Sequence, residues 1–435
     1  MRSYRTLLLA ATALVLAGCG NNAFLQKSAS YGSNPDLPPP QESLIPVNNL
    51  ASIEPWKDGQ TPTPASGLVV TRFAANFDHP RWLYVLPNGD VLVAETNKGS
   101  SWADTMGYGG WLESLVRRVE GLSTKSANRI TLLRDTNGDG VADFRATFVS
   151  GLNAPFGMAL IGNIFYVADT DALLAFPYHA GETQIADRGQ KIIGLPAGSI
   201  NHHWTKNVIA SRDGSKLYVT VGSNSNAGEN GLDVERERAA IWEVDPKTGE
   251  HRIFASGIRN PNGLAWSPAG KLWTAANERD EIGGDLVPDY MTAVNDGAFY
   301  GWPWCYYGQH IDERVTPQNP AMVAKAIPPD YALGTHTASL GLAFSQGTKL
   351  GPKFSSGVFI GQHGSWNRKP ISGYAVVFVP FSGESPSGGP IDVLTGFVGP
   401  DGIAHGRPVG VAIDKAGGLL VADDAGNTIW RVIKH

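Results

Sequence analysis

Between Asp135 and Asp143 the chain carries oxygen at the spacing of a calcium loop. Asp135, Asn137, Asp139 and Asp143 stand at positions one, three, five and nine, with the Val141 carbonyl at seven and Gly140 at six. Position twelve is Ala146, where a bidentate glutamate completes the usual pattern, so the same residues also suit a metal-free hairpin of Asx turns and glycines. Further on, Asn201-His202-His203-Trp204 sets two imidazoles side by side. An imidazole titrates near neutrality and can take a proton from a hydroxyl. As a metal pair the two histidines lack a third ligand at helical or hairpin spacing. The run Glu278-Arg279-Asp280-Glu281, with Asp285 beyond it, offers oxygens for a hard cation or ion pairs to Arg279. Arg259 and Arg407 are planar forks of donors suited to carboxylates.

These residues are far apart in sequence, so the fold must bring them together. One short phrase shows how. Pro155-Phe156-Gly157-Met158-Ala159, Pro261-Asn262-Gly263-Leu264-Ala265 and Pro408-Val409-Gly410-Val411-Ala412 are close copies, and Leu340-Gly341-Leu342-Ala343 is a weaker one. Each opens an apolar strand followed by a turn and a second strand. Trp82 to Thr96 and Asn207 to Val221 share the layout without the phrase. Six such units predict an all-β, six-bladed β-propeller, whose loops gather around one axis. Leu68–Phe73 and Thr428–Ile433 are both strand-like and are expected to close one blade from the two ends of the domain. The best helical spacing is Gly110–Gly121.

Residues 1–18 read as an export signal: Arg2 and Arg5 precede the apolar run Leu7–Leu16, which is too short to span a bilayer. Leu16-Ala17-Gly18-Cys19 resembles the lipobox of bacterial lipoproteins, which implies cleavage before Cys19 and acylation of its thiol. Residues 19–66 hold many prolines and are expected to form a stretched tether, leaving 67–435 as a single domain. The expected location is therefore the periplasmic side of a bacterial membrane, held there by lipid. Cys305, the other cysteine, lies among aromatic residues and reads as a packed core thiol. A net charge of −5 offers no basic field for nucleic acid.

The run Gly257-Ile258-Arg259-Asn260-Pro261-Asn262-Gly263 resembles a signature of the glucose/sorbosone dehydrogenases, six-bladed propellers that use pyrroloquinoline quinone (PQQ). Asn277 to Glu281, Asp285 to Tyr290, Gly301-Trp302-Pro303 and His363-Gly364-Ser365-Trp366-Asn367-Arg368 resemble the sorbosone-dehydrogenase-like branch. The resemblance covers 67–435 in one order. It implies that Arg259, Asn260, Asn262 and Arg407 hold the cofactor, with a further cation from Arg368 or Lys369. Trp366 either covers a face of the ring or packs in the body. It implies His203 as general base, with His202 the competing choice. It also implies a Ca²⁺ beside the cofactor, bound partly by main-chain carbonyls of Asp280 and Glu281. Two departures stand out: Val409 occupies the place of a family arginine, and Ser223 the place of a carboxylate that steadies the base.

The function implied is oxidation of a sugar or sugar-derived aldehyde by hydride transfer to the quinone. Electrons would pass to a quinone or cytochrome outside the cytoplasm. A non-catalytic scaffold lipoprotein and a Ca²⁺-dependent lactonase on a similar frame are the rival readings.

Overall fold

The computed structural model describes residues 23–42, 49–97 and 126–435. The expected signal segment, Cys19 and the expected helix at 110–121 lie outside the described residues. Six antiparallel sheets form a ring. Blade 1 takes Pro80–Val85, Val91–Glu95, Arg129–Arg134 and Phe144–Ser150, and blade 2 takes Met158–Ile161, Ile164–Ala168, Ala172–Pro177 and Gln190–Gly194. Blade 3 takes Val208–Ala210, Leu217–Val221, Ala240–Val244 and His251–Ser256. Blade 4 takes Asn260–Trp266, Leu272–Asn277, Pro288–Ala293 and Tyr331–Thr335; blade 5 takes Ser339–Phe344, Gly357–Gln362, Ala375–Ser382 and Ile391–Thr395. Blade 6 joins Pro408–Ile413, Leu419–Asp423 and Thr428–Lys434 to Leu68–Ala75 from the other end of the domain, pairing from Thr428 opposite Ala75 to Lys434 opposite Leu68 with one bulge between Ile429 and Trp430. The six-bladed propeller and its two-ended closure are as the sequence predicts.

The first strand of each blade is innermost, and these strands pack on one another around the axis. That crowding explains the repeated phrase. A Cβ on Gly263 would sit 2.6 Å from the Leu340 carbonyl oxygen of the next blade, and one on Gly410 would sit 2.7 Å from that of Arg81. Only glycine lets these backbones approach so closely. The residue before the glycine points into a shared apolar cluster: Phe156, Leu340 and Val409 meet there with Trp82, from blades 1, 2, 5 and 6. Asn262 is the polar exception at this position. That cluster continues outward between blades 1 and 2, and five other apolar clusters fill the remaining interfaces between neighbouring blades. Cys305 is buried among Phe299 and Ala326, the packed thiol expected.

One expectation changes. The stretch 19–66 is no free tether in its described residues but is strapped along the body. Tyr31–Gly32 adds a fifth strand to blade 4, and Thr63–Pro64 adds one to blade 5. Between them the indole of Trp56 lies edge-on to Phe397 and Trp430, and its Nε1 donates to Asp423 Oδ2 (2.8 Å). A proline-rich chain makes few hydrogen bonds with itself, so its remaining N–H and C=O groups are left to pair with sheet edges and loops. The Asp135–Asp143 loop is a hairpin of Asx turns. Asp135 accepts from the Gly138 and Gly140 N–H groups (2.7 and 2.8 Å), Asp139 from Val141 N–H (2.8 Å) and Asp143 from Thr136 N–H (2.8 Å). These hydrogen bonds hold the loop together without a metal. Among the described residues no three His, Cys, Asp or Glu side chains are grouped to hold a metal.

Candidate active site

Chemistry-bearing residues collect at the end of the ring where the innermost strands begin and the second strands finish. Arg259 and Arg407 sit just before the innermost strands of blades 4 and 6, and the His203 loop leads into that of blade 3. Asp280, His363 and Asn367 come from the connections between second and third strands of blades 4 and 5. Contacts link them in a circuit around the axis. Arg81 of blade 1 stacks on Trp204 (5.6 Å to the ring) and pairs with Asp424 of blade 6 (2.8 Å). Asp424 meets His363 Nε2 at 3.0 Å. Next to Trp204, His203 bonds Ser223, whose N–H donates to the Arg259 carbonyl (2.8 Å). Arg259 approaches Asp280 (3.5 Å), and Asp280 Oδ1 accepts from Asn367 (2.8 Å), returning to the loop that carries His363.

His203 is set up as a base. Its Nδ1 lies 2.8 Å from the Ser223 carbonyl and 3.0 Å from the Ser223 hydroxyl. A carbonyl accepts only, so Nδ1 carries the hydrogen, and the Ser223 hydroxyl gives its own proton to the Ser225 carbonyl (2.7 Å). The lone pair of the neutral ring is then on Nε2, which has no hydrogen-bond partner among the described residues. Burial first, and then the charges of Arg259 and His202, push the His203 pKa well below its ordinary value. Beneath it Lys206 is fully buried and donates to the His203 and Trp204 carbonyls (3.1 and 3.3 Å). Burial pushes the lysine pKa down, and its two hydrogen bonds brace the backbone of the His203 loop.

Arg259 is buried and held by the Asn226 carbonyl (3.1 Å), Asn226 Oδ1 (3.0 Å) and the Glu278 carbonyl (2.8 Å). Asn226 also binds both the N–H and the carbonyl of Asp280. Burial opposes the charge on Asp280, but hydrogen bonding from His336 and the Arg259 charge hold its pKa below normal. Both ring nitrogens of His336 face acceptors, Asp280 Oδ1 and the Gly283 carbonyl, each at 3.0 Å, which describes an imidazolium. Arg407 donates to the His363 and Gly364 carbonyls (3.0 and 2.9 Å) and takes its own N–H to Asp423 (2.7 Å). Buried oxygens of Asn224, Asn260, Asn262, Glu278 and Asn367 have no partner among the described residues. Asn262 is otherwise tied through Nδ2 to Thr205 (3.0 Å).

The remaining candidates are placed differently. Arg368 is buried against Gly284, Asp285 and Pro370, so it braces two loops. Lys369 is exposed beside it, and Trp366 is half-buried. The Asp280 carbonyl already accepts from Asn226 Nδ2 (3.1 Å) and Arg314 (2.9 Å), which leaves it poorly placed as a cation ligand; Glu281 is exposed with a left-handed backbone (φ 74°). Val409 is packed in the axial apolar cluster and brings no cation. Arg81, Asp424, Asn226 and Lys206 were not singled out from sequence. Arg81 had a signal: Pro80-Arg81-Trp82 starts like the repeated phrase, with the same bulge in register, but Trp82 replaces the glycine.

Known proteins with this architecture agree with the fold. The PQQ domain of a pyranose dehydrogenase from Coprinopsis cinerea, solved in its holo form, superposes with a TM-score of 0.69 at 20% identity, covering 88% of this chain and all of that one. A calcium structure of a Trichoderma reesei enzyme of Carbohydrate-Active Enzymes Family AA12 gives 0.69 at 18% identity over 86% of this chain and 97% of that one. The PQQ-bound aldose sugar dehydrogenase of Streptomyces coelicolor gives 0.56 at 17% identity, over 85% and 99%. By sequence, the PQQ-dependent pyranose dehydrogenase of Coprinopsis cinerea is 26% identical over 222 residues, 41% of this chain and 30% of that protein, so the match spans less than a third of that relative. An uncharacterised protein of Borreliella burgdorferi is 26% identical over 303 residues, 66% of this chain and 77% of its own. Residues 122–435 match the family model described as TrAA12-like, and the chain belongs to that family.

Proposed function

We propose that this protein is an exported, lipid-anchored oxidoreductase that uses PQQ and Ca²⁺ to oxidise a sugar or a sugar-derived aldehyde of the aldose or sorbosone type. The observation that carries the reading is the tautomer of His203, whose Nδ1–H on the Ser223 carbonyl leaves the lone pair on Nε2, in a ring kept neutral by burial and the Arg259 charge. PQQ, when bound, supplies a quinone that accepts hydride. The residues present suit it. Arg259, Arg407 and Arg81 are forks for its three carboxylates, and the half-buried Trp204 and Trp366 offer aromatic faces. The partnerless oxygens of Asn224, Asn260, Asn262 and Glu278 are hard donors of the kind Ca²⁺ takes.

His203 Nε2 accepts the substrate hydroxyl proton, while Nδ1–H stays on the Ser223 carbonyl and fixes the ring plane. Lys206 holds the backbone of that loop. Titrating the full chain with PQQ, with and without Ca²⁺, tests the proposal through quinone absorbance and dye reduction with aldoses and sorbosone. Saturable, Ca²⁺-dependent binding with turnover that disappears in His203→Ala supports it. Absence of binding in either condition sinks it. That outcome would favour a non-catalytic frame, a reading for which the apolar setting of Val409 is the one supporting observation.

A further inference from the structure

The strap begins at the site. The Ala23 N–H donates to the Lys369 carbonyl (2.9 Å), and the N–H groups of Phe24 and Leu25 both donate to Asp285 Oδ2 (2.6 and 3.0 Å). Asp285 is itself buried, and its other oxygen accepts from Arg368 (3.0 Å). The chain is therefore pinned at residues 23–25 to the second-to-third-strand connections of blades 4 and 5. Those connections also carry Asp280, His363 and Asn367. Farther along, Gln41 N–H donates to the Ile282 carbonyl and Asn49 N–H to that of Trp366 (2.9 and 2.8 Å), so the strap returns twice to the same end of the ring.

Four peptide units separate Cys19 from Ala23, and extended chain covers about 3.5 Å per residue, so their reach is at most about 14 Å. A free tether over 19–66 would instead reach on the order of 150 Å in polyproline geometry. The difference decides where the body can sit. We propose that, with Cys19 acylated, the propeller rests with the blade 4–blade 5 edge of its site-bearing end on the lipid surface. This rests on the lipid-anchored reading above. The surface at that edge has suitable chemistry. Phe24 is 62% exposed, with Lys27 and Lys369 exposed near it. An aromatic flanked by lysines fits the boundary between acyl chains and anionic headgroups.

The test uses the full chain purified from bacterial membranes and placed in phosphatidylethanolamine/phosphatidylglycerol vesicles carrying a headgroup quencher. Lys369→Cys and Lys415→Cys are labelled separately with a fluorophore. Cys305 is buried and does not compete, and Lys415 lies in the turn at the opposite end of the ring, between Ile413 and Leu419. Several-fold stronger quenching at position 369 than at 415 is expected. A Gly/Ser insert of about 20 residues between Asn22 and Ala23, which lengthens the leash several-fold, should bring the signal at 369 toward that at 415. Equal quenching at both positions without the insert, in protein whose N-terminal peptide carries lipid by mass, overturns the orientation. An N-terminal peptide without lipid overturns the anchored reading itself and takes the orientation with it.

Discussion

His203 and Ser223 meet twice, through the serine carbonyl at 2.8 Å and its hydroxyl at 3.0 Å from the same ring nitrogen. The carbonyl fixes the tautomer and the hydroxyl adds little, because its proton already goes to Ser225. Removing the imidazole in His203→Ala should lower kcat by about 10²–10⁴-fold, the range for loss of a positioned base. Ser223→Ala keeps the carbonyl contact and should cost less than about tenfold. Steady-state kinetics on the PQQ-loaded protein checks both. A loss in Ser223→Ala equal to that in His203→Ala would show that the hydroxyl, not the carbonyl, sets the ring.

The pH dependence follows from the same environment. Burial and Arg259 depress the His203 pKa, so the ring stays a competent base at pH values below its ordinary 6.5. The acid limb of kcat/KM should therefore lie below pH 6.5. Ser223→Asp adds a negative charge beside Nδ1, favours the imidazolium and should move that limb to higher pH. NMR titration of His203 in the cofactor-free protein reads the same shift without turnover. An unshifted His203 titration near 6.5 would contradict the environment described.

His363 and Asp424 give a stability prediction. Burial, then the Arg407 charge, lowers the His363 pKa to about 4, and pairing with His363 and Arg81 lowers that of Asp424 despite its burial. Both folded values lie below the unfolded ones. Their contribution is therefore present above the unfolded values and lost as pH falls, first between 6.5 and about 4 for His363 and then below 3.8 for Asp424. Denaturant unfolding should show stability dropping by up to about 1.4 kcal/mol per pH unit for each proton taken up. His363→Gln should flatten the part between 6.5 and 4. An unchanged slope would assign the acid sensitivity elsewhere.

Trp56 ties the strap to the site through Asp423, which also holds the Arg407 N–H. Trp56→Ala removes that bond and the edge contacts to Phe397 and Trp430, and should cost on the order of 2–3 kcal/mol. It should also weaken cofactor binding, whereas Thr63→Ala, at the far end of the strap, should not. Thermal melts and PQQ titration of the two variants separate the effects. Equal affinity in both would confine Trp56 to packing.

Much of this was legible because crowding leaves a mark on composition. The innermost strands touch, so a glycine is required at one position per copy, and the phrase could be counted. His203, Arg259 and Arg407 were picked out through the family resemblance, and each immediately precedes or leads into such a strand. The strap was not legible: its attachments are two-residue strands at Tyr31–Gly32 and Thr63–Pro64, one indole and scattered single hydrogen bonds such as those from Ala23, Gln41 and Asn49, and no periodicity records them. Arg81 was hidden by a degraded copy in which Trp82 replaces the glycine. The Asp135–Asp143 pattern supports two readings from sequence because Asx turns and calcium loops use the same residues at the same spacing; the structure shows its carboxylates capping N–H groups of their own loop.

The seam of blade 6 has a bearing on biogenesis. Leu68–Ala75 is made well before its partner Thr428–Lys434. A chain emerging from the ribosome can form individual sheets, but the first-made strand keeps an open edge until Thr428–Lys434 has been made. Pairing across nearly the whole length of a polypeptide is slow. The circuit through Arg81, Asp424 and His363 can therefore be completed only once Leu68–Ala75 and Thr428–Lys434 have met.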